Sequence, residues 1–215
     1  MSNWKTYREK SDLKKSQTKI QFKKLEQVVY KQSVFNFQST VCQNGPLIIE
    51  SYNISVGFQE AHAHDVIAYL LLTNSVTQIV EFEQYFQVGS NIRDYYVNKQ
   101  EIDISSVKQC KYPINDYRQK LYDLIGQRLV VGFQAKKQLQ KLTISLPVKQ
   151  ILDIEQTYTY GQNQQTKSLE ELAVLIKQPL QGKRNAYKRS QVISKLFDPI
   201  KTKIDRERKW FWVKK

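Results

Sequence analysis

The sequence contains few of the residues that build metal centres and disulfide scaffolds. Its 215 residues include two cysteines, Cys42 and Cys110, and two histidines, His62 and His64. Thiols so far apart provide neither a zinc motif nor a disulfide framework, and they are typical of a protein from a reducing compartment. The histidines have ligand-like spacing, but no further histidine or nearby cysteine completes a site, so we interpret them as part of a surface loop. The sequence therefore predicts no metal ion and no cofactor.

Long apolar runs and the signatures of common enzymes are also missing. No apolar stretch approaches the roughly 20 residues that a helix needs to cross a bilayer, and the first residues are polar and lysine-rich. The chain has no phosphate-binding Walker loop, no glycine-rich dinucleotide fingerprint and no Ser-His-Asp arrangement. We therefore expect an intracellular protein that has no membrane partner.

Acidic residues are the minority among the charged residues, and the basic excess lies at the two ends of the chain. The 34 Lys and Arg exceed the 20 Asp and Glu, which gives a net charge of +14. Residues 1–31 hold nine basic residues against three acids, and residues 177–215 hold thirteen against three. Each Lys or Arg that neutralises a phosphate releases counterions, so this distribution is typical of nucleic-acid binding. An acidic protein partner would use the same charges.

Composition divides the chain into three segments. Residues 1–45 form a basic arm, in which the absence of glycine and proline from residues 7–32 and a thin apolar stripe predict a helix. The Gly45-Pro46 pair predicts a break before a folded body over residues 46–200. Residues 201–215 form a basic, aromatic C-terminal tail. We therefore predict one folded domain with a basic extension at each end.

The folded body alternates apolar strands with amphipathic helices. The predicted strands are residues 47–49, 66–72, 76–88, 129–131 and 151–153. The predicted helices are residues 102–107, 115–125, 136–142, 168–176 and 189–203. Ser168, followed three residues later by Glu171, forms a capping-box pattern at the start of one of these helices. Three strands followed by alternating helices and strands indicate a mixed α/β fold.

Residues 129–139, LVVGFQAKKQL, resemble the segment that carries a metal-binding aspartate in the DEDDh 3′-5′ exonucleases, in the RNA-processing and interferon-stimulated branch of that family. Further similar segments, in the family's order, are residues 92–95, 102–107, 121–126, 151–154 and 168–173. The resemblance implies an RNase H-like exonuclease fold, in which a mixed central sheet is flanked by helices.

The positions that match the first two metal-binding motifs hold mostly residues without a carboxylate. Active members of the family hold two metal ions with four acids, and a histidine deprotonates the attacking water. Gln138 stands at the aspartate position of the second motif, and an amide is a poor ligand for Mg²⁺. On the first strand two registers stay open. One places Tyr52 and Ile54 at the acid positions, and the other places Glu50 and Tyr52 there.

The third motif, a histidine followed five residues later by an aspartate, falls at Arg184 and Arg189. No Asp, Glu or His occurs between Asn185 and Phe197, so no other register restores this motif. We therefore predict a pseudo-exonuclease that is not an enzyme. Arg184, Lys188 and Arg189 are interpreted either as direct phosphate contacts or as solvated helix residues.

Charge and aromatic residues identify candidate binding positions. The candidate nucleic-acid contacts are Lys14, Lys15, Lys19, Lys23, Lys24, Lys136, Lys137, Lys183, Arg184, Lys188, Arg189, Arg206, Arg208 and Lys209. Trp4 and Tyr7 in the arm are candidate partner contacts, because exposed aromatic residues are common interface hot spots. Trp210, Phe211 and Trp212 either pack on the domain or on a partner, or stack on bases.

These features together predict a non-catalytic accessory subunit of a nucleic-acid-processing complex in the nucleus. Its expected partners are DNA or RNA and other protein subunits, and a DNA N6-adenine methyltransferase complex is one example of such an assembly. Two alternatives stay open: a structural RNA-bound subunit of a ribosome or other ribonucleoprotein particle, and a divergent active exonuclease. A steep salt dependence on duplex DNA favours the accessory role, whereas tails ordered only in an RNA particle favour the structural role.

Overall fold

The computed structural model describes residues 45–58, 63–89, 91–160 and 165–213, with the backbone alone for residues 159–160 and 204–213. The predicted arm lies almost wholly outside this part of the chain, as does His62. The same holds for its candidate contacts Trp4, Tyr7, Lys14, Lys15, Lys19, Lys23 and Lys24. Among the described helices, none is long and apolar enough to span a membrane.

A mixed six-stranded sheet forms the centre of the domain. Its strands are β1 (Leu47–Val56), β2 (His64–Asn74), β3 (Val80–Tyr85), β4 (Ile92–Asp94), β5 (Val130–Gly132) and β6 (Ile151–Asp153). The spatial order is β3-β2-β1-β5-β6, and β4 pairs with the C-terminal end of β1. β1, β2 and β3 are antiparallel, whereas β5 and β6 run parallel to β1. A separate hairpin joins β7 (Thr159–Tyr160) to β8 (Gln165–Thr166).

The helices are α1 (Ile104–Gln109), α2 (Arg118–Ile125), α3 (Ala135–Lys141), α4 (Ile154–Thr157), α5 (Leu169–Leu175) and α6 (Ala186–Val213). The predicted capping box at α5 is confirmed. The Ser168 hydroxyl accepts the Glu171 N–H at 3.2 Å, and the Glu171 carboxylate accepts the Ser168 N–H at 2.8 Å. These two bonds satisfy backbone donors that the first turn of a helix leaves unpaired.

Helices cover both faces of the sheet, so β1 is buried on both sides. Leu47 and Ile49 lie in a cluster with residues of α2 and α3, such as Leu121 and Leu139. Ile48 points to the opposite face and lies in a cluster with residues of α5 and α6. Because side chains alternate along a strand, one central strand supplies both cores. The predicted mixed α/β fold, with a central mixed sheet flanked by helices, is confirmed.

Gly132 allows β5 to lie close to β1. It pairs with Ile49, and a Cβ atom added to it would lie 2.7 Å from Ile49 Cγ2 and 3.1 Å from the Ile49 carbonyl oxygen. Both distances are shorter than normal contacts, so a side chain at this position would push the two strands apart. The Val-Gly pair that carried the sequence resemblance therefore has a packing role.

Several predicted boundaries differ from the structure. The third strand begins at Val80 rather than residue 76, because Asn74 Oδ1 accepts the N–H groups of Val76 and Thr77 and forms a turn. The last helix begins at Ala186 rather than residue 189 and continues to Val213. The boundary predicted at residue 201, between body and tail, therefore lies within α6.

Candidate functional site

The side chains of Glu50 and Tyr52 point toward the start of α6. The carboxylate of Glu50 accepts a hydrogen bond from Arg189, and the hydroxyl of Tyr52 accepts one from the N–H of Ala186. Ile54 lies further along β1, in a separate apolar cluster with Val107. Of the two registers that the sequence left open, the one that uses Glu50 and Tyr52 therefore meets the positions of the third motif.

Glu50 and Arg189 form a buried ion pair. Arg189 Nε donates to Glu50 Oε2 at 3.0 Å, and the two side chains are 5% and 1% exposed. Arg189 Nη1 also donates to Glu170 Oε1, in the first turn of α5, at 2.6 Å. Burial lowers the pKa of Arg189, but attraction to Glu50 and Glu170 outweighs burial and raises that pKa overall. Arg189 therefore joins β1, α5 and α6 through charge.

Arg184 approaches the same carboxylate from the loop before α6. Its Nη2 atom lies 3.8 Å from Glu50 Oε2, and its side chain is 39% exposed. Backbone bonds hold the loop, since the Arg184 N–H donates to the Lys99 carbonyl and the Glu101 N–H donates to the Arg184 carbonyl, both at 2.8 Å. Burial, and then the nearby charge of Arg189, lower the pKa of Arg184. The charge of Arg184 is thus less well compensated than that of Arg189.

Tyr52 fills the other first-motif position with a hydroxyl that caps α6. It accepts the N–H of Ala186 at 2.7 Å, and its ring stacks on Tyr69 with centroids 5.0 Å apart. Burial raises the pKa of Tyr52 to about 12. A neutral phenol that is already hydrogen-bonded to the backbone does not supply the anionic oxygen of a glutamate.

Gln138, at the position predicted for the second motif, is turned back toward the segment that precedes its own helix. Its side-chain amide donates to the Phe133 carbonyl at 3.0 Å. Its Oε1 atom is buried and has no hydrogen-bond partner within the described residues. Gln138 therefore caps the segment that leads into α3, and its amide makes no bond to Glu50, Arg184 or Arg189.

The four positions predicted to match the family's acids, Glu50, Tyr52, Gln138 and Arg189, do not fit a magnesium site. Mg²⁺ depends on anionic oxygen ligands to offset its dehydration. Glu50 is the one acid among these positions, and Arg189 already binds its Oε2 atom. Two guanidinium groups also add positive charge where a divalent cation would have to bind. Within the described residues, no three His, Cys, Asp or Glu are grouped so that they could hold a metal ion.

Four basic residues surround a shallow pocket beside the ion pair. The pocket is lined by residues 180–185 together with Glu170, Lys188 and Arg189. Lys183 and Lys188 are exposed. The structure therefore brings together Lys183, Arg184, Lys188 and Arg189, which the sequence had placed among the candidate nucleic-acid contacts.

The remaining candidate contacts have different settings. Lys136 and Lys137 are exposed on α3. Arg206, Arg208 and Lys209 belong to α6, and the structure describes only their backbone. Arg189 does not fit its predicted role as a phosphate contact, because its guanidinium is buried and already binds the carboxylates of Glu50 and Glu170.

Comparison with solved structures places this geometry in a known architecture. The Pan2 catalytic unit of Neurospora crassa, with its protease and nuclease domain, superposes with a TM-score of 0.64 at 15% identity. The match covers 80% of this chain and 29% of that one. The fold is exonuclease-like. The apo Pan2 pseudoubiquitin hydrolase–RNA exonuclease module of Saccharomyces cerevisiae, in complex with AAUUAA RNA, matches with a TM-score of 0.61 at 16% identity, over 72% of this chain and 28% of that one.

The similarity covers only part of each of these two solved chains, and it is a similarity of structure rather than of sequence. This chain spans less than a third of the length of either solved chain. No protein-family model matches the sequence, and no curated protein matches it either. At such low identity the comparison establishes the exonuclease-like fold, while the residues described above define the chemistry of the site.

Sequence reasoning missed Glu170 as a member of the site. Glu170 is the second residue of α5, two positions after the N-cap Ser168. The helix dipole alone explains an acid at this position. Only packing of α5 beside α6 shows that its carboxylate binds Arg189. The sequence also gave no sign of Glu83, which accepts hydrogen bonds from Tyr69 and Tyr187 next to the Tyr52 ring.

Proposed function

We propose that this protein is a pseudo-exonuclease of the DEDDh type that binds nucleic acid and serves as a non-catalytic accessory subunit of a nuclear nucleic-acid-processing complex. It contributes basic surface and docking contacts rather than phosphodiester cleavage. A DNA N6-adenine methyltransferase complex is one assembly in which such a subunit would act.

The observation that carries this proposal is the replacement of a metal centre by an ion pair. In an active exonuclease the acids of the first and third motifs hold the metal ions that activate water and stabilise the leaving group. Here Arg189 stands at the aspartate position of the third motif and binds Glu50, the remaining acid of the first. A guanidinium can neutralise a carboxylate or bind a phosphate, but it can neither deprotonate water nor act as a Lewis acid.

The charge of the chain supports nucleic acid as the partner. The net charge of +14 is concentrated at the two ends, and the C-terminal concentration begins beside the pocket described above. Phosphate contacts made by Lys and Arg supply sequence-independent affinity that falls as salt rises. The RNA in the Saccharomyces Pan2 structure makes RNA as suitable a test ligand as DNA.

The first experiment is a nuclease assay on the purified full chain. Single-stranded RNA and DNA with a 3′ label are incubated with Mg²⁺ or Mn²⁺, and EDTA serves as the blank. We expect no shortening above the blank. The matched control is Glu50→Ala, which exposes a contaminating nuclease, because contaminating activity persists in the variant. Metal-dependent cleavage that disappears with Glu50→Ala would refute the non-catalytic role.

The second experiment identifies the assembly. The tagged protein is purified from its native source at moderate salt, with and without nuclease treatment, and stoichiometric partners are identified by mass spectrometry. Recovery of a processing enzyme that survives nuclease treatment supports the accessory role. Recovery of ribosomal or other ribonucleoprotein components that vanish with the RNA would replace it with the structural RNA-bound role, and imaging of the tagged protein outside the nucleus would overturn the nuclear assignment.

A further inference from the structure

The pocket beside the Glu50–Arg189 pair carries more positive charge than the protein itself neutralises. Four cations and one carboxylate line it. Arg189 is already shared between Glu50 and Glu170. Within the described residues, neither Lys183 nor Lys188 forms an ion pair, and Arg184 makes only a long contact with Glu50 at 3.8 Å. Within the described residues, Lys183, Arg184 and Lys188 therefore have no carboxylate partner closer than 3.8 Å.

The two arginines differ in how firmly the protein holds them. Arg189 is 5% exposed and donates to two carboxylates at 3.0 and 2.6 Å. Arg184 is 39% exposed, and its buried Nε atom has no hydrogen-bond partner within the described residues. If Arg184 turns toward the pocket, Glu50 keeps its close contact with Arg189. Arg184 is thus available to a ligand without leaving a buried carboxylate unpaired.

The backbone N–H groups at the start of α6 do not account for the attraction of the pocket to an anion. The N–H of Ala186 donates to the Tyr52 hydroxyl at 2.7 Å, and the N–H of Lys188 donates to Asn185 Oδ1 at 3.0 Å. These two backbone donors of the first turn are therefore taken by the protein. An anion in the pocket would be recognised by side chains, and the guanidinium fork of Arg184 matches the oxygen geometry of a phosphate group.

We propose that this pocket binds one phosphate group directly and without a metal ion, with Arg184 as the principal ligand and Lys183 and Lys188 as supporting charges. Arg189 is a positioning residue, because it neutralises Glu50 and so keeps the pocket free of an uncompensated negative charge. The identification of the phosphate as part of a nucleic-acid strand rests on the proposed function. The binding of phosphate as such does not.

Two measurements on the full chain test this site, both in EDTA. The first follows the ³¹P NMR line width of inorganic phosphate as protein is added. The second measures the affinity for a labelled single-stranded oligonucleotide, as DNA and as RNA, over a range of salt concentrations. Each is made on the wild type, on Arg184→Gln, and on Lys149→Gln, which removes one charge from an exposed lysine of the turn Val148–Gln150 away from the pocket lining.

We expect Arg184→Gln to abolish the phosphate line broadening and to weaken oligonucleotide binding about tenfold. The slope of log affinity against log salt should also fall by about 0.7, the value for one lost phosphate contact on a single strand. Lys149→Gln should leave the line width unchanged. Addition of Mg²⁺ should not restore either signal to the Arg184 variant.

The outcomes separate the pocket from the wider function. If Arg184→Gln leaves both the phosphate signal and the salt slope unchanged, the pocket proposal is overturned. If phosphate broadening depends on Arg184 but no oligonucleotide binds, the pocket stands and nucleic-acid binding fails. Should Arg184→Gln not fold, Lys183→Gln combined with Lys188→Gln makes the same test, since both lysines are exposed. Loss or marked weakening of the phosphate signal in that double variant supports the site, and an unchanged signal overturns it.

Discussion

Removal of the Arg189 side-chain charge should destabilise the domain strongly, because Glu50 would stay buried without its close partner. We expect Arg189→Met to lower the free energy of unfolding by about 3–5 kcal/mol, the usual cost of breaking a buried pair by removing one member. Among the residues that the structure describes, the only other cation within 4.0 Å of the Glu50 carboxylate is Arg184, whose Nη2 atom is 3.8 Å away. Glu170 adds little to this figure, since its side chain is 52% exposed and solvent screens it. Urea unfolding at neutral pH measures the loss.

The double variant Glu50→Leu/Arg189→Met tests the cause. Replacement of a whole buried pair by apolar residues is often close to neutral, so the double variant should recover at least about 2 kcal/mol relative to the sum of the single variants. Lys141→Met is the control, because it breaks the exposed pair with Asp65 and should cost less than about 1 kcal/mol. A loss below about 1 kcal/mol for Arg189→Met, or additive single variants, would refute a buried and coupled pair.

Further predictions follow from three other contacts. Tyr52→Phe should cost about 1–3 kcal/mol because it leaves the Ala186 N–H unpaired. The wild type should also lose stability as pH rises from 10.0 through about 12, because the folded state raises the pKa of Tyr52 and therefore favours its protonated form. Unfolding of the wild type and of Tyr52→Phe across alkaline pH checks both predictions. The hydrogen bond from Arg128 holds the pKa of Glu81 below its usual 4.5, so this contact stabilises the fold above pH 4.5 and its contribution is lost as pH falls further. Glu81→Gln should therefore remove this part of the loss of unfolding free energy at low pH. An unchanged profile of unfolding free energy against pH would contradict the prediction. Ser168→Ala should cost about 1 kcal/mol by loss of the helix cap, measured by urea unfolding, with no change expected in oligonucleotide affinity.

Several features of the fold could be predicted from the sequence because they depend on residues that are close in the chain. The strand of β5, the helix of α5 and its capping box all arise from patterns within a few residues, and each appears where the sequence placed it. The start of β3 was predicted too early, because the Asn74 side chain stabilises a turn that apolar alternation does not report. The hairpin of β7 and β8 was missed, since two strands of two residues each are too short to produce a period.

The sequence by itself determined the chemical identity of the site. Gln138, Arg184 and Arg189 are not acids in any fold, and no acid or histidine between Asn185 and Phe197 could replace them. Tertiary structure alone decided how these residues combine. Glu50 and Arg189 are 139 residues apart and meet because α6 packs against β1 in the folded domain. That same packing buries Arg189 against two carboxylates and leaves Arg184 at an open pocket, because depth below the surface is a property of the folded assembly of elements and not of residue type.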